Sequence, residues 1–470
     1  MEEKPLTGFR VLDFTWVRAG PWAARWMATL GAEVIKVEWP DPRLAMNGRY
    51  GGADGGPMAS RPPGVPPGPN SSGHFSDNNA GKDSVTINVR SAAGFDAVKR
   101  LIAMSDVLIE NYSSQVMESW GLGYDELVKI KPDIIYVSMA GLGHTGRNHD
   151  YQTMGNIVQA LSGLTHSSGL PDVEPAGWGW SYMDDTGGMY GAMSVLTALY
   201  HRRSTGQGQY VDLSQVAAGM TLLGPAFLDL DVNGRGSRRE GYPAGNRAAW
   251  PGAPLVNNYR GQTVAPHNTY RTAGGGDNDW CVIACFSDEE WRALVQVMGS
   301  PEWAHEQRFA TFAGRLEHQI DLDRNIEAWT QEQDKYAVMD RCQAAGVRAA
   351  PVQTNEDRVD NDPQLKARNA YVPAPHAVLG TFPLQNAPFT FSETPAVTDR
   401  AGPLVGEHNI AILNGKLGFS IEDIRAGYAD GTFWPASVPI EPYLVAALDA
   451  HSAQGTSGHD SAGHESTVRS

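Results

Sequence analysis

The segment RVLDFTWVRAGPWAARWMATLGAEVIKVE, residues 10–38, predicts the fold class of the chain. Residues 10–14 and 32–38 are apolar runs typical of buried strands, and the stretch between them has helical spacing behind Pro21, which suits a first helical turn. A strand, a helix and a second strand within about 30 residues form a βαβ unit, which predicts a parallel sheet. Ligands of such sheets bind beyond the carboxyl ends of the strands, so the loop TWVRAG at 15–20 is a candidate binding site, although it lacks the G-x-G-x-x-G of a dinucleotide site.

The same alternation of strand and helix continues to about residue 215. Helical runs separate further strand-like runs at 84–89, 107–112, 134–139 and 210–214. We therefore expect residues 1–215 to form one doubly wound α/β domain with a parallel sheet. An apolar helix at 216–235 connects it to a second unit, and the Gly- and Ser-rich tail 446–470 has the composition of a disordered segment.

The composition limits the function classes. The chain has 470 residues and a formal net charge of −16, which argues against general nucleic-acid binding because phosphate neutralisation needs clustered Lys and Arg. Neither the three cysteines nor the histidines have metal-ligand spacing, so no metal is expected. No apolar run approaches the roughly 18 residues of a membrane span, and the charged N-terminus does not resemble a signal peptide. These features predict a cytoplasmic protein with no nucleic-acid or membrane partner.

Two adjacent carboxylates, Asp184 and Asp185, precede a pair of glycines at 187–188 in the stretch MDDTGGMYG. The following helix is expected to run from about Met189. An acid beside glycines has little bulk around it, so a substrate could approach it closely. Alternatively, one of the two acids only caps the helix, since Asp is a common N-cap residue. Three histidines ahead of this stretch could act as acid or base: His144, His149 and His166.

Ten segments carry a resemblance to a known family. In chain order they are RVLDFTWVRAGP, LGAEVIKVEWP, NAGKDSVTINVRS, SDVLIENY, MESWGLGYDEL, PDIIYVSMAGLGHTG, QALSGL, DDTGGMYGAM, TGQGQYVDLSQ and GEHN. In this order they resemble the class III CoA-transferases of the CaiB/BaiF type, which include formyl-CoA transferase. They extend over nearly the whole chain up to about residue 425, and together they are far more specific than any one of them.

The resemblance implies an architecture and an assembly. The family combines a doubly wound large domain with a smaller α+β domain, and its C-terminal part returns to the large domain. On this chain the smaller domain would be 236–335 and the return segment 336–445. Two subunits of the family interlock like chain links, so the expected partner is a second copy of the chain, and a heteromer with a paralogue is the alternative.

The resemblance also implies a reaction. In transferases of this type, an aspartate four residues before the second glycine of a D-x-x-x-G pattern attacks the thioester of a donor acyl-CoA. Counting back from Gly188 gives Asp184 as the nucleophile and leaves Asp185 as a neighbour that caps the helix. Coenzyme A is then a co-substrate that is carried as an aspartyl-CoA thioester, the other partners are an acyl-CoA and a carboxylic acid, and no metal is needed.

The CoA-binding positions of the family carry over one by one. They are Arg18, Ala19, Asn79, Lys82, Asn111, Tyr112, Met139, Ala140, Gly141 and Leu142. Among them, Lys82 suits a phosphate, and Arg18 replaces a glutamine of formyl-CoA transferase, which points to a carboxylate-bearing substrate. Trp39 and Ser119 stand where formyl-CoA transferase has arginines, so phosphate contacts would come from elsewhere, such as Arg43.

The expected function is the transfer of coenzyme A from an acyl-CoA to a carboxylic acid, and two alternatives are open. The first is an acyl-CoA isomerase or racemase. Racemase relatives carry a His-Asp pair nine residues before the glycine of A-L-S-G, and counting back from Gly163 gives Met154 and Gly155, so racemisation is disfavoured but intramolecular transfer is not. The second is a non-catalytic subunit of a heteromer, which the presence of Asp184 and its glycine pair counts against.

Overall fold

The computed structural model describes residues 3–39, 69–167, 177, 180–233 and 264–433. These residues fall into two compact units: unit 1 contains 3–39, 69–162, 180–219 and 367–433, and unit 2 contains 163–167, 177, 220–233 and 264–366. The five-part division expected from the sequence stays a prediction. Its last part, 446–470, and the candidate phosphate ligand Arg43 lie outside the described residues.

A parallel six-stranded sheet forms the centre of unit 1. Its strands are β1 (Arg10–Asp13), β2 (Glu33–Glu38), β3 (Asp83–Thr86), β4 (Val107–Glu110), β5 (Ile135–Ala140) and β6 (Gln209–Ser214). They pair in the order β3-β2-β1-β4-β5-β6, with Val11 opposite both Val34 and Val107. The order reverses between β1 and β4, so the loops after these two strands leave in different directions and open a crevice at the carboxyl edge. The mixed α/β class with a parallel sheet, predicted from residues 10–38, is confirmed.

Helices and one-turn elements connect the strands. The helices are α1 (Ala19–Thr29), α2 (Gly73–Asn78), α3 (Ala92–Ala103), α4 (Val116–Ser119), α5 (Tyr124–Ile130), α6 (Gly155–Leu161), α7 (Leu164–Ser167), α8 (Tyr182–Thr205), α9 (Gln215–Met220), α10 (Gly224–Asn233), α11 (Asp288–Val297), α12 (Phe312–Glu317), α13 (Gln319–Thr330), α14 (Lys335–Ala344), α15 (Pro363–Ala367) and α16 (Ile421–Asp430). Short 3-10 and π turns lie at Pro69–Ser71, Thr221–Leu223, Glu302–His305, Gln307–Phe309, Asp357–Asn361 and Ile410–Asn414.

Both faces of the large sheet are covered. Alternate residues of a strand point to opposite faces. Val11 therefore packs with α1 and α8 in one core, whereas the next residue, Leu12, packs with α3 and α5 in another. Both side chains are almost completely buried, as expected for parallel strands with helices on two sides.

The C-terminal part of unit 1 is held to the edge strand β3. It contributes an antiparallel hairpin, β10 (Tyr371–His376) and β11 (Gly380–Gln385), and the GEHN segment. The backbone N–H of Thr86 donates to the Asn409 side chain at 2.8 Å, and the same side chain donates to the Thr86 hydroxyl at 2.8 Å. The N–H of Ser84 donates to Nδ1 of His408 at 3.2 Å. The GEHN residues therefore serve the fold rather than the cavity described below.

Unit 2 is built on an antiparallel three-stranded sheet. Its strands are β7 (His267–Arg271), β8 (Trp280–Ala284) and β9 (Arg348–Pro351), in the order β7-β8-β9. Residues 274–276, three glycines, lie in the turn between β7 and β8. Tyr270, Cys281 and Trp291 belong to a single apolar core that α11, α13 and α14 complete. All three cysteines of the chain are buried as free thiols.

Helix α8 begins earlier than the sequence predicts. It starts at Tyr182 rather than at Met189, and Ser181 occupies the N-cap position. Asp184 and Asp185 consequently lie inside the first turn of the helix. The expectation that Asp185 caps the helix is therefore wrong, because the capping position lies four residues before it.

The glycine pair at the start of α8 permits close helix packing. A Cβ on Gly188 would lie 2.8 Å from the carbonyl oxygen of Ala19, and one on Gly187 would lie 2.9 Å from Cγ of Gln215. Both distances are too short for any other residue unless a neighbour shifts. The tertiary contacts thus offset the weak helix propensity of glycine, and they bring the Asp184 turn against the first residues of α1.

Candidate active site

A cavity lies at the carboxyl edge of the unit 1 sheet, where β1, β4 and β5 end and where α1, α6 and α8 begin. Its walls consist of Trp16, Val17, Arg18, Ala19, Asn111, Tyr112, Ser113, Ser114, Met139, Ala140, Gly141, Leu142, His149, Tyr151, Thr153, Met154, Gly155, Asp184 and Gln215. The change in strand order between β1 and β4 therefore creates a crevice, and the Asp184 carboxyl group lies in its wall.

The Asp184 carboxyl group is partly buried and more basic than an ordinary aspartate. Burial and, to a smaller extent, the charge of Asp185 raise its pKa from 3.8 to about 6, although the charge of Arg18 and a hydrogen bond from Ser181 act in the opposite direction. At pH 7 the group is still mostly ionised, since the pH exceeds this pKa. A more basic carboxylate is a stronger nucleophile, so Asp184 combines availability with reactivity.

Asp185, not Asp184, holds the nearest arginine. Nε of Arg18 donates to Oδ1 of Asp185 at 2.6 Å, and Nη1 donates to Oδ1 of Asn78 at 2.5 Å. The guanidinium group also lies over the ring of Trp22, 4.3 Å from its centroid, an arrangement that favours a cation. These contacts hold Arg18 in the cavity wall and direct its strongest ion pair away from the Asp184 carboxylate.

The loop between β1 and α1 is held by side chains from two other parts of the chain. Nζ of Lys36 donates to the carbonyl of Thr15 at 2.5 Å, and Nδ2 of Asn111 donates to the carbonyl of Trp16 at 3.0 Å. Val17 has a φ of 63°, which is rare for a β-branched residue and signals backbone strain. The surrounding hydrogen bonds maintain this conformation, which places Trp16 to Ala19 along the cavity.

Most of the predicted CoA-binding residues surround the same cavity as Asp184. These are Arg18, Ala19, Asn111, Tyr112, Met139, Ala140, Gly141 and Leu142. They come from the loop after β1 and from the ends of β4 and β5, which the parallel topology places side by side. Their contacts with CoA stay a prediction.

Asn79 and Lys82 do not reach this cavity. Lys82 is completely buried, and its ammonium group donates to Oδ2 of Asp13 at 2.7 Å, to Oδ1 of Asn79 at 2.9 Å and to the carbonyl of Pro21 at 3.0 Å. An ammonium group has three N–H donors, and these partners use all of them. Burial lowers the pKa of Lys82 to about 8, so the group is still mostly charged at neutral pH. This arrangement favours a structural role over the expected phosphate contact.

Apart from His149, which is a candidate acid or base from the sequence, several polar residues of the cavity were not predicted. Ser114 and His149 form a hydrogen-bonded pair, with 3.1 Å between the hydroxyl oxygen and Nδ1, and Ser113, Thr153 and Gln215 add further polar groups. The two residues are 35 positions apart and lie in separate loops. No local sequence pattern predicts this pairing, although His149 itself is one of the three candidate histidines.

The other two candidate histidines lie elsewhere. Nε2 of His144 is 2.7 Å from the hydroxyl oxygen of Ser138, and burial lowers the pKa of the imidazole. Its backbone N–H donates to Asp212 at 2.8 Å. His166 lies in α7 of unit 2. Of the three, only His149 lines the cavity.

Neither a metal-ligand cluster nor a membrane-spanning helix is present among the residues that the structure describes. Within them, no set of three or more His, Cys, Asp and Glu side chains is arranged to hold a metal ion. No helix in the described part of the chain combines the length and the apolar character that crossing a membrane requires.

Comparisons with known proteins identify the family. Residues 6–409 match CoA-transferase family III. The succinyl-CoA–D-citramalate CoA-transferase of Chloroflexus aurantiacus is 32% identical over 426 residues, which cover 90% of this chain and 96% of that protein. The beta subunit of the succinyl-CoA–L-malate CoA-transferase of the same organism is 31% identical over 426 residues, again 90% and 96%. The crystal structure of a CaiB/BaiF family protein from Brucella suis matches with a TM-score of 0.75 at 29% identity, covering 88% of this chain and 100% of that one. The chain therefore belongs to CoA-transferase family III and is an acyl-CoA:carboxylate CoA-transferase, for which coenzyme A is a co-substrate.

Proposed function

We propose that the chain transfers coenzyme A from a donor acyl-CoA to an acceptor acid through a thioester on Asp184. The observation that supports this most directly is the location of Asp184 in one cavity with eight of the predicted CoA-binding residues. Asp185 shares the same helix turn but is engaged with Arg18. Asp184 is therefore the better nucleophile of the two.

The transfer takes place in four balanced steps. The Asp184 carboxylate attacks the donor thioester carbonyl and expels the CoA thiolate, which leaves a mixed anhydride. The thiolate then attacks the aspartyl carbonyl, which releases the donor acid and forms aspartyl-CoA. The acceptor carboxylate attacks this thioester and expels the thiolate again, giving a second anhydride. Attack of the thiolate on the acceptor carbonyl yields the new acyl-CoA and restores Asp184, so no net proton or redox change is required.

The proposed acceptor is a short acid that carries a second polar group. The relatives compared above are named for citramalate and malate, with succinyl-CoA as donor. The polar wall of this cavity, with Ser113, Ser114, His149 and Thr153, agrees with such a substrate. An acceptor screen with succinyl-CoA tests this: preference for apolar monocarboxylic acids over hydroxy or dicarboxylic acids would contradict it.

The proposed assembly is an interlocked homodimer that works in the cytoplasm, where acyl-CoA is available. Four side chains spaced along one side of α8 are exposed in the single chain: Met189, Met193, Leu196 and Tyr200. Such an apolar stripe on a helix is typical of a subunit interface. A heteromer is the alternative, because one relative is named as a beta subunit. A monomeric mass of the purified chain by light scattering would contradict the dimer.

Trapping of the intermediate tests the central proposal. The chain is incubated with succinyl-CoA and then with hydroxylamine, which converts an aspartyl thioester into a hydroxamate and releases CoA. Mass spectrometry of the peptides should place the modification on Asp184. The Asp184→Asn variant should lose transfer by at least about 1000-fold, as expected for a group that forms bonds. The Asp185→Asn variant should still be trapped at position 184, and full activity of Asp184→Asn would overturn the mechanism.

A further inference from the structure

Gly155 lies directly against the Asp184 carboxylate. It is the first residue of α6, and a Cβ added to it would lie 2.7 Å from Oδ2 of Asp184 and 2.6 Å from Oγ of Ser181. Real Cβ atoms do not approach other heavy atoms within 3.0 Å. The carboxylate therefore occupies the space that a side chain at position 155 would take.

The glycine is not required by the backbone. Gly155 does not have a positive φ, and it lies in a helix. Other amino acids can adopt this backbone conformation, with only the usual differences in helix propensity. What the position lacks is room, not conformational freedom. Two of the three nearest atoms are the outer ends of side chains, so the main consequence of a Cβ would be displacement of these groups rather than unfolding.

We infer that Gly155 is a positioning residue. Because it has no side chain, the Asp184 carboxylate has room to lie at the cavity wall, in position to attack the thioester. This inference rests on the proposed function of Asp184. Attack requires the carboxylate oxygen and the thioester carbon to be held in line at close range, and a displacement of about 1 Å can lower the rate by about 100-fold. A residue that touches only the nucleophile can therefore control the rate without contacting the substrate.

A displaced carboxylate would also titrate differently. The charged and titratable groups near Asp184 are Asp185 on its own helix, Arg18 at the N-cap of α1, and Tyr112, His149 and Tyr151 in the wall of the same cavity. Burial is the main cause of the high pKa of Asp184. If the carboxylate is pushed toward solvent, the burial contribution decreases and the acid limb of the pH profile moves to lower pH.

The test is the Gly155→Ala variant, with Gly73→Ala as its matched control. Gly73 is likewise the first residue of a short helix, α2, and a Cβ there would meet nothing within 4 Å. For Gly155→Ala we expect kcat to fall by about 10- to 100-fold. KM for acyl-CoA should stay within about twofold, and the acid limb should move to lower pH. For Gly73→Ala we expect rate and pH profile to match the wild type.

A second variant separates the two crowded groups. In Gly155→Ala/Ser181→Gly, the Ser181 side chain and its hydrogen bond to Asp184 are gone and only the contact of the new Cβ with Asp184 remains. The baseline is therefore the Ser181→Gly single variant, and kcat of the double variant should stay well below that of Ser181→Gly if the carboxylate is the group that matters. Equal kcat in the double variant and in Ser181→Gly would overturn the inference, as would a Gly155→Ala enzyme with wild-type kcat and an unshifted acid limb. The trapping reaction of the wild type is measured alongside. If hydroxylamine does not label Asp184 in the wild type, the proposed function itself fails, whereas labelling in the wild type with an unaffected Gly155→Ala variant removes only this inference.

Discussion

Two aspartates of unit 1, Asp13 and Asp184, differ in the charges that surround them. Asp13 ends β1 and is completely buried, which alone would raise its pKa, but the charges of Lys82 and Lys36 and hydrogen bonds from Lys82 and Thr15 together lower the pKa. Asp184 is less buried, and yet burial and the charge of Asp185 raise its pKa to about 6. The more buried of the two acids is the less basic one.

The difference shows that the placement of cations, more than depth, decides which carboxylate is reactive. Lys82 donates directly to Asp13, and the ammonium group of Lys36 contributes from the next strand. The arginine nearest to Asp184 donates to Asp185 and Asn78. Asp13 is thereby fixed as an ion that supports the cavity wall, whereas Asp184 keeps the basicity that an attacking carboxylate needs.

The largest expected effect is the loss of stability when Asp13 loses the cation that pairs with it. In a Lys82→Met variant, Asp13 loses its direct partner while buried. Removal of one partner from a buried ion pair costs about 3–5 kcal/mol of the free energy of unfolding. Without Lys82 the pKa of Asp13 rises, so the loss should be largest at neutral pH and shrink as the pH falls toward the point where Asp13 is protonated. Urea unfolding at several pH values measures this.

Lys129→Met is the matched control for that variant. Lys129 pairs with Glu126 on the surface of α5, where an ion pair contributes about 0.5 kcal/mol or less. We expect almost no change in stability. If Lys82→Met instead unfolds like the wild type and shows a raised KM for CoA, the phosphate contact implied by the family resemblance is supported and the structural role of Lys82 is wrong.

The positions of β1 to β5 along the chain could be predicted from the sequence because these strands are short runs rich in apolar and β-branched residues. Each run is bounded by loop residues, and helical runs separate them. Asp184 could be proposed as the nucleophile because the family resemblance places it four residues before Gly188. Its basicity could not be predicted, since it depends on burial and on the charges of Asp185 and Arg18, and these two residues lie 167 positions apart in the sequence.

The start of α8 and the burial of Lys82 could not be predicted, because both depend on contacts between residues that are far apart in the sequence. The early start of α8 was missed because glycine is a poor helix former, and only the packing of Gly187 and Gly188 against α9 and α1 overrides that preference. Burial of Lys82 was missed because its partner Asp13 is 69 residues away. The sequence pattern that suggested a phosphate ligand contains no information on this partner.

A second pair of variants tests how the charges of Arg18 and Asp185 set the pKa of Asp184. Arg18→Gln removes a positive charge that lowers the pKa of Asp184, so the acid limb of kcat/KM should move to higher pH. Asp185→Asn removes a negative charge that raises this pKa, so the limb should move to lower pH. At pH 6 we expect kcat/KM of Arg18→Gln to fall by about 3- to 10-fold, with a smaller change at pH 8, where Asp184 is ionised in either case.

The opposite signs make the pair its own control. A loss of stability alone would not move the acid limb of either variant. If Arg18→Gln raises KM equally at every pH and leaves the limb in place, Arg18 contacts the substrate instead of setting the charge of Asp184. Limb shifts of the same sign in the two variants would contradict the charge assignment altogether.

The smaller of the two expected changes in stability is a gain when the reactive acid is removed. In the folded chain the pKa of Asp184 is raised from 3.8 to about 6, so the unfolded chain loses this proton first as the pH rises. Ionisation of Asp184 therefore lowers the free energy of unfolding between about pH 4 and pH 6, and the reduced value persists at higher pH. Asp184→Asn has a similar shape and no charge. We expect it to be more stable than the wild type by about 1–2 kcal/mol at pH 7.5, after allowance for the partial exposure of the group.

The same variant should lose its advantage at pH 4, where the wild-type carboxyl is mostly protonated. Thermal midpoints of both proteins at pH 4 and pH 7.5 measure the difference. Asp185→Asn is the comparison variant, since it loses an ion pair with Arg18 and should not gain stability at either pH. An equal gain for Asp184→Asn at both pH values would mean that the gain does not come from charge. A gain confined to neutral pH would instead show that the chain holds its nucleophile in a less stable, more reactive ionised form, whereas its counterpart Asp13 is stabilised as an ion by Lys82.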